Sequence, residues 1–216
     1  MSTTIDVIIG KSLSGKTTAM RQILNNCRQL GISTQTVSKL ITSTTRPPRQ
    51  EDRGKHNYNF LNNADLNKTP AKNIIAPRTY QVVYQNQLTN WTYFINRQDL
   101  IRDQNKFKHL LLIIDWQGFK DLKSAIENDA QLKQAYKIQG WYLDIPLKQR
   151  LMRLTNPKSP RFNDDSKEAL RRLYDDEFNA FNELENPKNI EKYQLKVFST
   201  DQDFITEYLK QFEQKR

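Results

Sequence analysis

Cysteine and histidine are nearly absent from this 216-residue chain, which holds one Cys and two His. Cys27 alone excludes an internal disulfide and a zinc cage built on cysteine spacing, and His56 with His109 cannot make a multi-histidine metal site. No apolar run approaches the roughly 18 residues of a membrane span. The N-terminus has no charged stretch leading into an apolar one, so no secretory signal and no membrane partner are expected, and the expected setting is the cytoplasm. Acidic residues are in deficit: 24 Asp and Glu against 34 Lys and Arg leave a charge of +10. That excess is silent on fold but favours anionic partners such as phosphates, nucleic acid or acidic lipid. Aromatics, 10% of the chain within a 37% hydrophobic share, recur in periodic clusters, which excludes a disordered chain. The length suits one sizeable domain with a small insert.

What is present alternates strand with helix. Thr4 to Ile9 is a β-branched run, and after a polar turn the pattern from Lys16 is helical, with Ala19, Met20, Ile23, Leu24, Cys27 and Leu30 on one face and Gly31 as its stop. Further strands are expected over 35–41, 109–115, 137–145 and 195–198. The stretch 109–115 carries five consecutive aliphatics, as where both faces of a parallel sheet are covered. Phe119, Leu122 and Ile126 mark another helix, Pro146 suits the first turn of the next, and Asp201 is placed to cap the last. The fold class expected is α/β, a parallel sheet flanked by helices. Two stretches break the rhythm. Residues 46–108 read as a β-rich insert with two brief helices, and 154–165 as a polar, prolyl loop before a long helix whose capping box is Asp165 with Glu168.

Gly10-Lys11-Ser12-Leu13-Ser14-Gly15-Lys16-Thr17 fits G-x-x-x-x-G-K-[ST] between a strand and a helix. Glycines there let successive amide N–H groups face one hollow, and the helix adds its positive end, so the turn is built for a polyphosphate. Lys16 is placed to hold the β- and γ-phosphates and the Thr17 hydroxyl to ligate Mg²⁺. Asp115 ends a hydrophobic strand, where α/β sites form, although it also suits a helix cap. Asp115-x-x-Gly118 looks like a GTPase switch, yet no Asn-Lys-x-Asp follows; the nearest match, Asn67-Lys68-Thr69-Pro70, lies upstream and lacks the Asp. Thr42-Ser43-Thr44-Thr45-Arg46-Pro47-Pro48-Arg49 cannot continue a helix and forms an extended basic arm whose guanidiniums can grip a phosphate.

The order Gly-x-Ser-x-x-Gly-Lys-Thr, then Ser-Thr-Thr-Arg-x-Pro-Arg with a following Tyr-x-Phe at Tyr58 and Phe60, then Ile-Asp-x-Gln-Gly, resembles guanylate kinase. The resemblance implies transfer of the ATP γ-phosphoryl group to a nucleoside monophosphate, GMP or dGMP first, with Mg²⁺. It implies a P-loop core (1–45, 109–150, 176–216), a monophosphate-binding insert (46–108) and a lid (151–175). By motif, Gly10, Ser12, Leu13, Ser14, Gly15, Lys16, Thr17 and Thr18 would take the ATP tail. Arg46, Arg49 and Tyr58 would hold the acceptor phosphate, with Thr42, Thr92 and Asp115 nearer the acceptor nucleoside. Arg150, Arg153 and Arg172 resemble lid-side arginines that neutralise the transferring group; Arg171 can replace Arg172, and Arg161 is a further lid candidate.

Three departures bear on base choice. Gln50-Glu51 stands where the family has Gly-Glu, the guanine-reading Glu has no counterpart near Ile74 to Pro77, and the Tyr-Gly-Ser/Thr element is reduced to something like Asn90-Trp91-Thr92. Losing a carboxylate that reads a base edge removes a large source of selectivity. The alternatives are therefore a kinase for another (deoxy)nucleoside monophosphate, or an interaction module of guanylate-kinase type, although such modules tend to lose the P-loop lysine. Eight Lys and Arg against three Asp and Glu between Lys148 and Arg172 leave a nucleic-acid-binding protein open. The assembly expected is a monomer or a homodimer.

Overall fold

The computed structural model describes residues 2–48, 52, 58–156 and 166–213. Five parallel strands form its centre in the order β2-β7-β1-β8-β9: β2 (Val37–Lys39), β7 (His109–Ile113), β1 (Thr3–Gly10), β8 (Tyr136–Leu143) and β9 (Lys196–Phe198). The period of two along β1 divides the core. Ile5, Val7 and Ile9 face one layer with Leu110, Leu112, Trp116, Phe119 and Leu122, while Ile8 faces the other with Ile23, Leu111, Trp141, Phe204 and Tyr208. Helices α1 (Lys16–Gln29) and α9 (Asp201–Glu213) close the second layer. The first is closed by α4 (Trp116–Asn128) and α5 (Ala130–Ala135). Helix α1 buries Ala19, Met20, Ile23 and Cys27 and ends at Gly31 with φ +71; Leu30, expected on its inner face, is exposed.

A second sheet, in the order β4-β3-β6-β5, forms the insert. Its strands are β3 (Thr42–Thr44), β4 (Tyr58–Phe60), β5 (Ile74–Tyr84) and β6 (Gln87–Asn96). Strand β3 pairs antiparallel with β6, so the insert sheet begins with segment 42–44, which sequence reading places in the core. The two short strands expected between 81 and 95 are one long hairpin. Its two-residue turn, Gln85 and Asn86, has both φ values positive (52 and 61), the twist that lets antiparallel strands continue without splaying. The brief helices are α2 (Asn63–Lys68), with an Asn62/Asp65 capping box, and α3 (Arg97–Asp103), capped by Asn96.

Toward the C-terminus come α6 (Leu147–Thr155), α7 (Ser166–Asp175), a π-turn (Asp176–Ala180), a 3-10 turn (Asn182–Glu185) and α8 (Pro187–Lys192). The core/lid boundary drawn at 150/151 falls inside α6, and Asp165 of the expected capping box lies outside the described residues. The cap of α9 is Thr200, whose Oγ1 accepts from the Asp203 amide (3.0 Å). Asp201 does not cap: its carboxylate turns to Arg153.

Cys27 lies buried between α1 and the sheet, and burial pushes its thiol up to about 11. Deprotonation leaves a charge with no water around it, so the thiolate, the reactive form, is about 100-fold scarcer than in an open chain. Native protein should react with a thiol reagent at least that much more slowly than urea-unfolded protein, measured by absorbance; equal rates would place Cys27 at the surface.

Candidate active site

The turn after β1 lies at the C-terminal edge of the sheet. Gly15 precedes α1 with φ +92, and Leu13 is also left-handed at φ 64, so the bend curls back on itself. A Cβ on Gly10 would meet Ser14 Oγ at 2.7 Å and the Leu143 carbonyl at 2.9 Å; on Gly15 it would meet an Arg153 nitrogen at 2.7 Å. Gly10 is thus required by close approach to the Leu143 backbone, and Gly15 by its left-handed conformation, since the Arg153 end can swing aside. Lys16 Nζ donates to the carbonyls of Gly10 (2.7 Å) and Lys11 (2.9 Å), which stations the ammonium inside the bend. Thr17 is exposed on the first turn of α1 and Thr18 half-buried.

Two of the expected lid arginines lie on this loop. Arg150, 1% exposed, donates through Nε to the Ile145 carbonyl (3.0 Å) and through a terminal nitrogen to Ser12 O (3.3 Å). Burial pulls its guanidinium below the ordinary arginine range, against the nearby charge of Asp176, yet an arginine stays charged at any pH a protein survives. Arg153, one turn on, donates to Leu13 O (2.8 Å) and pairs with Asp201 (3.3 Å). Two carboxylates complete the ring: Asp176 accepts from the Ser12 amide, and Glu177 bridges Lys11 (2.9 Å) and Arg150. Arg172 is exposed on α7, four residues before Asp176.

Beside the loop stands Asp115. The last registered pair of β1 and β7 is Ile8 with Ile113, so Gly10 and Asp115 follow at the same level on adjacent strands. One Asp115 oxygen caps α4 through the Gly118 amide (2.7 Å). The other accepts from Arg78 Nε (2.9 Å) and the Tyr80 hydroxyl (3.0 Å). The cap read from the sequence is therefore present, and it leaves the second oxygen for the insert. Burial pushes the Tyr80 phenol up to about 12, with Asp115's charge adding to it. For Arg78, burial works against the charge, but Asp115 and Tyr80 outweigh it and hold the guanidinium above its usual range.

Arg78 and Tyr80 belong to one face of the insert. The register pairs Arg78 with Tyr93, Tyr80 with Trp91 and Thr44 with both Tyr93 and Phe60, so these side chains project together. Tyr80, Tyr93, Tyr58 and Phe60 meet edge to face at 5.8–5.9 Å. Arg46 lies over Tyr58 (5.4 Å) and Phe60 (5.5 Å), 4% exposed, and pairs with Asp52 at 2.9 Å. Lys39, from the C-terminal end of β2, covers Tyr58 from the core side (5.4 Å). Its ammonium is lowered by burial, against the charge of Asp52. Beyond Arg46 the face opens into a cleft of about 350 Å³ lined by Thr45, Pro47, Tyr84, Thr89 and Trp91.

Thr42 is paired with Tyr58 and shares this face. Thr92 does not. Strand alternation turns it away from Tyr93, and its hydroxyl meets that of Thr79 (3.0 Å) on the reverse side. Arg49, Glu51 and Arg161 lie outside the described residues. Sequence reasoning missed Lys39, Asp52, Arg78, Asp176 and Glu177. Only Asp52, six residues from Arg46, was close enough for local spacing to find it.

A family model for guanylate kinase matches residues 2–181. No curated protein matches the sequence. The solved structure of the guanylate kinase from Anaplasma phagocytophilum superposes with a TM-score of 0.54 at 16% identity, over 100% of this chain and 88% of that one. At that identity the likeness is one of fold.

Proposed function

The chain belongs to the guanylate kinase family, and on that premise we propose that it transfers the γ-phosphoryl group of ATP to a nucleoside monophosphate, GMP or dGMP first. One observation carries the reading: Arg78 and Tyr80 of the insert reach Asp115, level with the start of the loop. An acceptor lying on the insert face then has its phosphate toward the donor cradle. Amides of residues 10–18 and the Lys16 ammonium hold the ATP tail. Arg46, Arg49 and Tyr58 take the acceptor phosphate, with Thr42 and Asp115 nearer the base. Arg150 and Arg153, with Arg172 from α7, neutralise charge on the group in flight. The acceptor phosphate is already an anion, so no general base is demanded; alignment and charge neutralisation supply the catalysis. Closure of arginines over the gap excludes water, which favours transfer over hydrolysis.

A hydroxyl at the exposed Thr17 is the hard oxygen donor that Mg²⁺ accepts alongside phosphate oxygens and water. Among the described residues no group of three or more His, Cys, Asp or Glu offers a rival metal site. Bound with ATP, the ion would offset charge on the β- and γ-oxygens.

A second reading, a different (deoxy)nucleoside monophosphate, is favoured by Arg78. A free carboxylate suits the N–H edge of guanine, whereas Asp115 is already neutralised by Arg78 and shared with Tyr80. A coupled ADP-release assay with ATP and GMP, dGMP, AMP, dTMP, UMP or CMP decides. GMP or dGMP leading supports the first reading, another monophosphate the second, and turnover of none ends both.

The grip on the acceptor is tested at Arg46. An ionic hydrogen bond to phosphate contributes about 1.5–3 kcal/mol. Because Arg46→Ala alone would strand the buried Asp52, the variant to use is Arg46→Ala with Asp52→Asn. Its KM for the monophosphate should rise roughly 10- to 100-fold with the KM for ATP within about twofold. A change in ATP KM alone would misplace the acceptor.

A further inference from the structure

The loop that would take the ATP tail already carries anions, and they are the chain's own. Asp176, 9% exposed, accepts from the Ser12 amide, a donor of the bend itself. Glu177 joins Lys11 to Arg150, the two cations flanking that amide. Both open the π-turn that interrupts the helical path after α7. A π-turn inserts one residue into the helical repeat and re-aims the side chains beyond it, and such turns recur at functional sites. An N–H group cannot serve a carboxylate and a phosphate oxygen together. Two carboxylates beside a bound triphosphate would also repel it across a short gap with little water between.

We propose that Asp176 and Glu177 act as a built-in phosphate mimic, holding the loop in shape without nucleotide and leaving it when ATP enters. The pair neutralises Lys11 and Arg150 in the empty loop. Its departure frees both cations and shifts the C-terminal end of α7. Entry of ATP and displacement of the segment bearing Arg171 and Arg172 are then one event. The consequence is an affinity lower than the bare cradle would have, because only the fraction of molecules with the carboxylates withdrawn can bind. The proposal rests on the ATP reading of the loop but not on the identity of the acceptor.

The test is ATP binding by calorimetry, in Mg²⁺ and without acceptor, to the full chain and to Asp176→Asn/Glu177→Gln. The double variant should bind at least about 10-fold tighter. Asp175→Asn, which removes one charge rather than two and does so at an exposed neighbour, should stay within about twofold. Equal or weaker binding by a folded double variant overturns the proposal, as does an equal gain in Asp175→Asn. A reporter follows the movement. With Cys27 buried, Leu170→Cys on the exposed face of α7 gives a single labelling site. ATP should shift the label's emission in the parent, and the shift should be largely present without ATP in the double variant. A label blind to ATP in the parent also overturns the coupling. ATP binding without phosphorylation of any monophosphate would instead defeat the kinase reading and leave this one standing.

Discussion

Lys16→Ala is expected to lower turnover of the ATP-dependent reaction by about 10²- to 10³-fold, the usual loss when one preorganised charge donor leaves a transition state. The variant should still melt within roughly 3 °C of the parent. The two effects separate because of what Lys16 touches. Its ammonium donates to the Gly10 and Lys11 carbonyls at the rim of the bend, and neither contact lies in a hydrophobic layer. Losing them costs about 1 kcal/mol or less, since water can replace the donor, and in a chain of this size that is a few degrees. Transition-state charge has no such substitute once the cradle excludes water. Lys16→Arg should not rescue, because a planar fork cannot occupy the space of a compact ammonium inside the bend. Steady-state rates with a saturating monophosphate, beside a thermal melt, check both halves. Unchanged turnover would remove the loop from the chemistry, and a collapsed melting point would make Lys16 a structural residue.

What could be read from the sequence was what is encoded locally. The β1-loop-α1 unit is legible because its conformation is dictated by neighbours: a β-branched run, glycines at the close approaches, and an apolar face at helical spacing. Asp115 was legible for the same reason, as the residue that both ends an aliphatic run and precedes a helix. The misses are contacts made by folding. Asp176 and Glu177 are separated from the loop by more than 160 residues. In the sequence they are two acids on a solvated helix, and the π-turn that directs them inward leaves no compositional mark. Thr92 lies one position off the face expected for it. On a strand, a shift of one residue exchanges the two faces, so Tyr93 shares the face of Arg78 and Tyr80 and Thr92 points away from it. Asp201 failed because two oxygen-bearing residues, Thr200 and Asp201, competed for one cap; the Arg153 guanidinium took the carboxylate and left the hydroxyl to the helix. Arg78 went unremarked because a half-exposed arginine on a hairpin has no pattern until its partner, 37 residues on, is known.

The largest loss of stability should come from a residue with no part in the chemistry. Asp6 lies in the central strand, 1% exposed, between Leu111 and Gln139 on the neighbouring strands. A buried carboxylate is costly unless paired, and three donors pair it. Trp141 Nε1 serves one oxygen (2.9 Å), while His109 Nδ1 (2.8 Å) and the Tyr208 hydroxyl (3.0 Å) serve the other. Burial beside this carboxylate drives the Tyr208 phenol well above its ordinary range, so it remains a donor. The network ties β1, β7, β8 and α9 at one point, which explains an acid between the aliphatic Ile5 and Val7. Asp6→Ala removes the shared acceptor and leaves three part-buried or buried donors facing a void. Breaking such a buried group from one side costs about 3–5 kcal/mol, some 6–20 °C in the melting temperature here. Tyr208→Phe, which leaves the carboxylate two donors, should cost only about 1–2 kcal/mol. Urea titration of the three proteins orders them. If Asp6→Ala fell within about 1 kcal/mol of the parent, the network would add nothing, and the sheet would be held by its aliphatic layers alone.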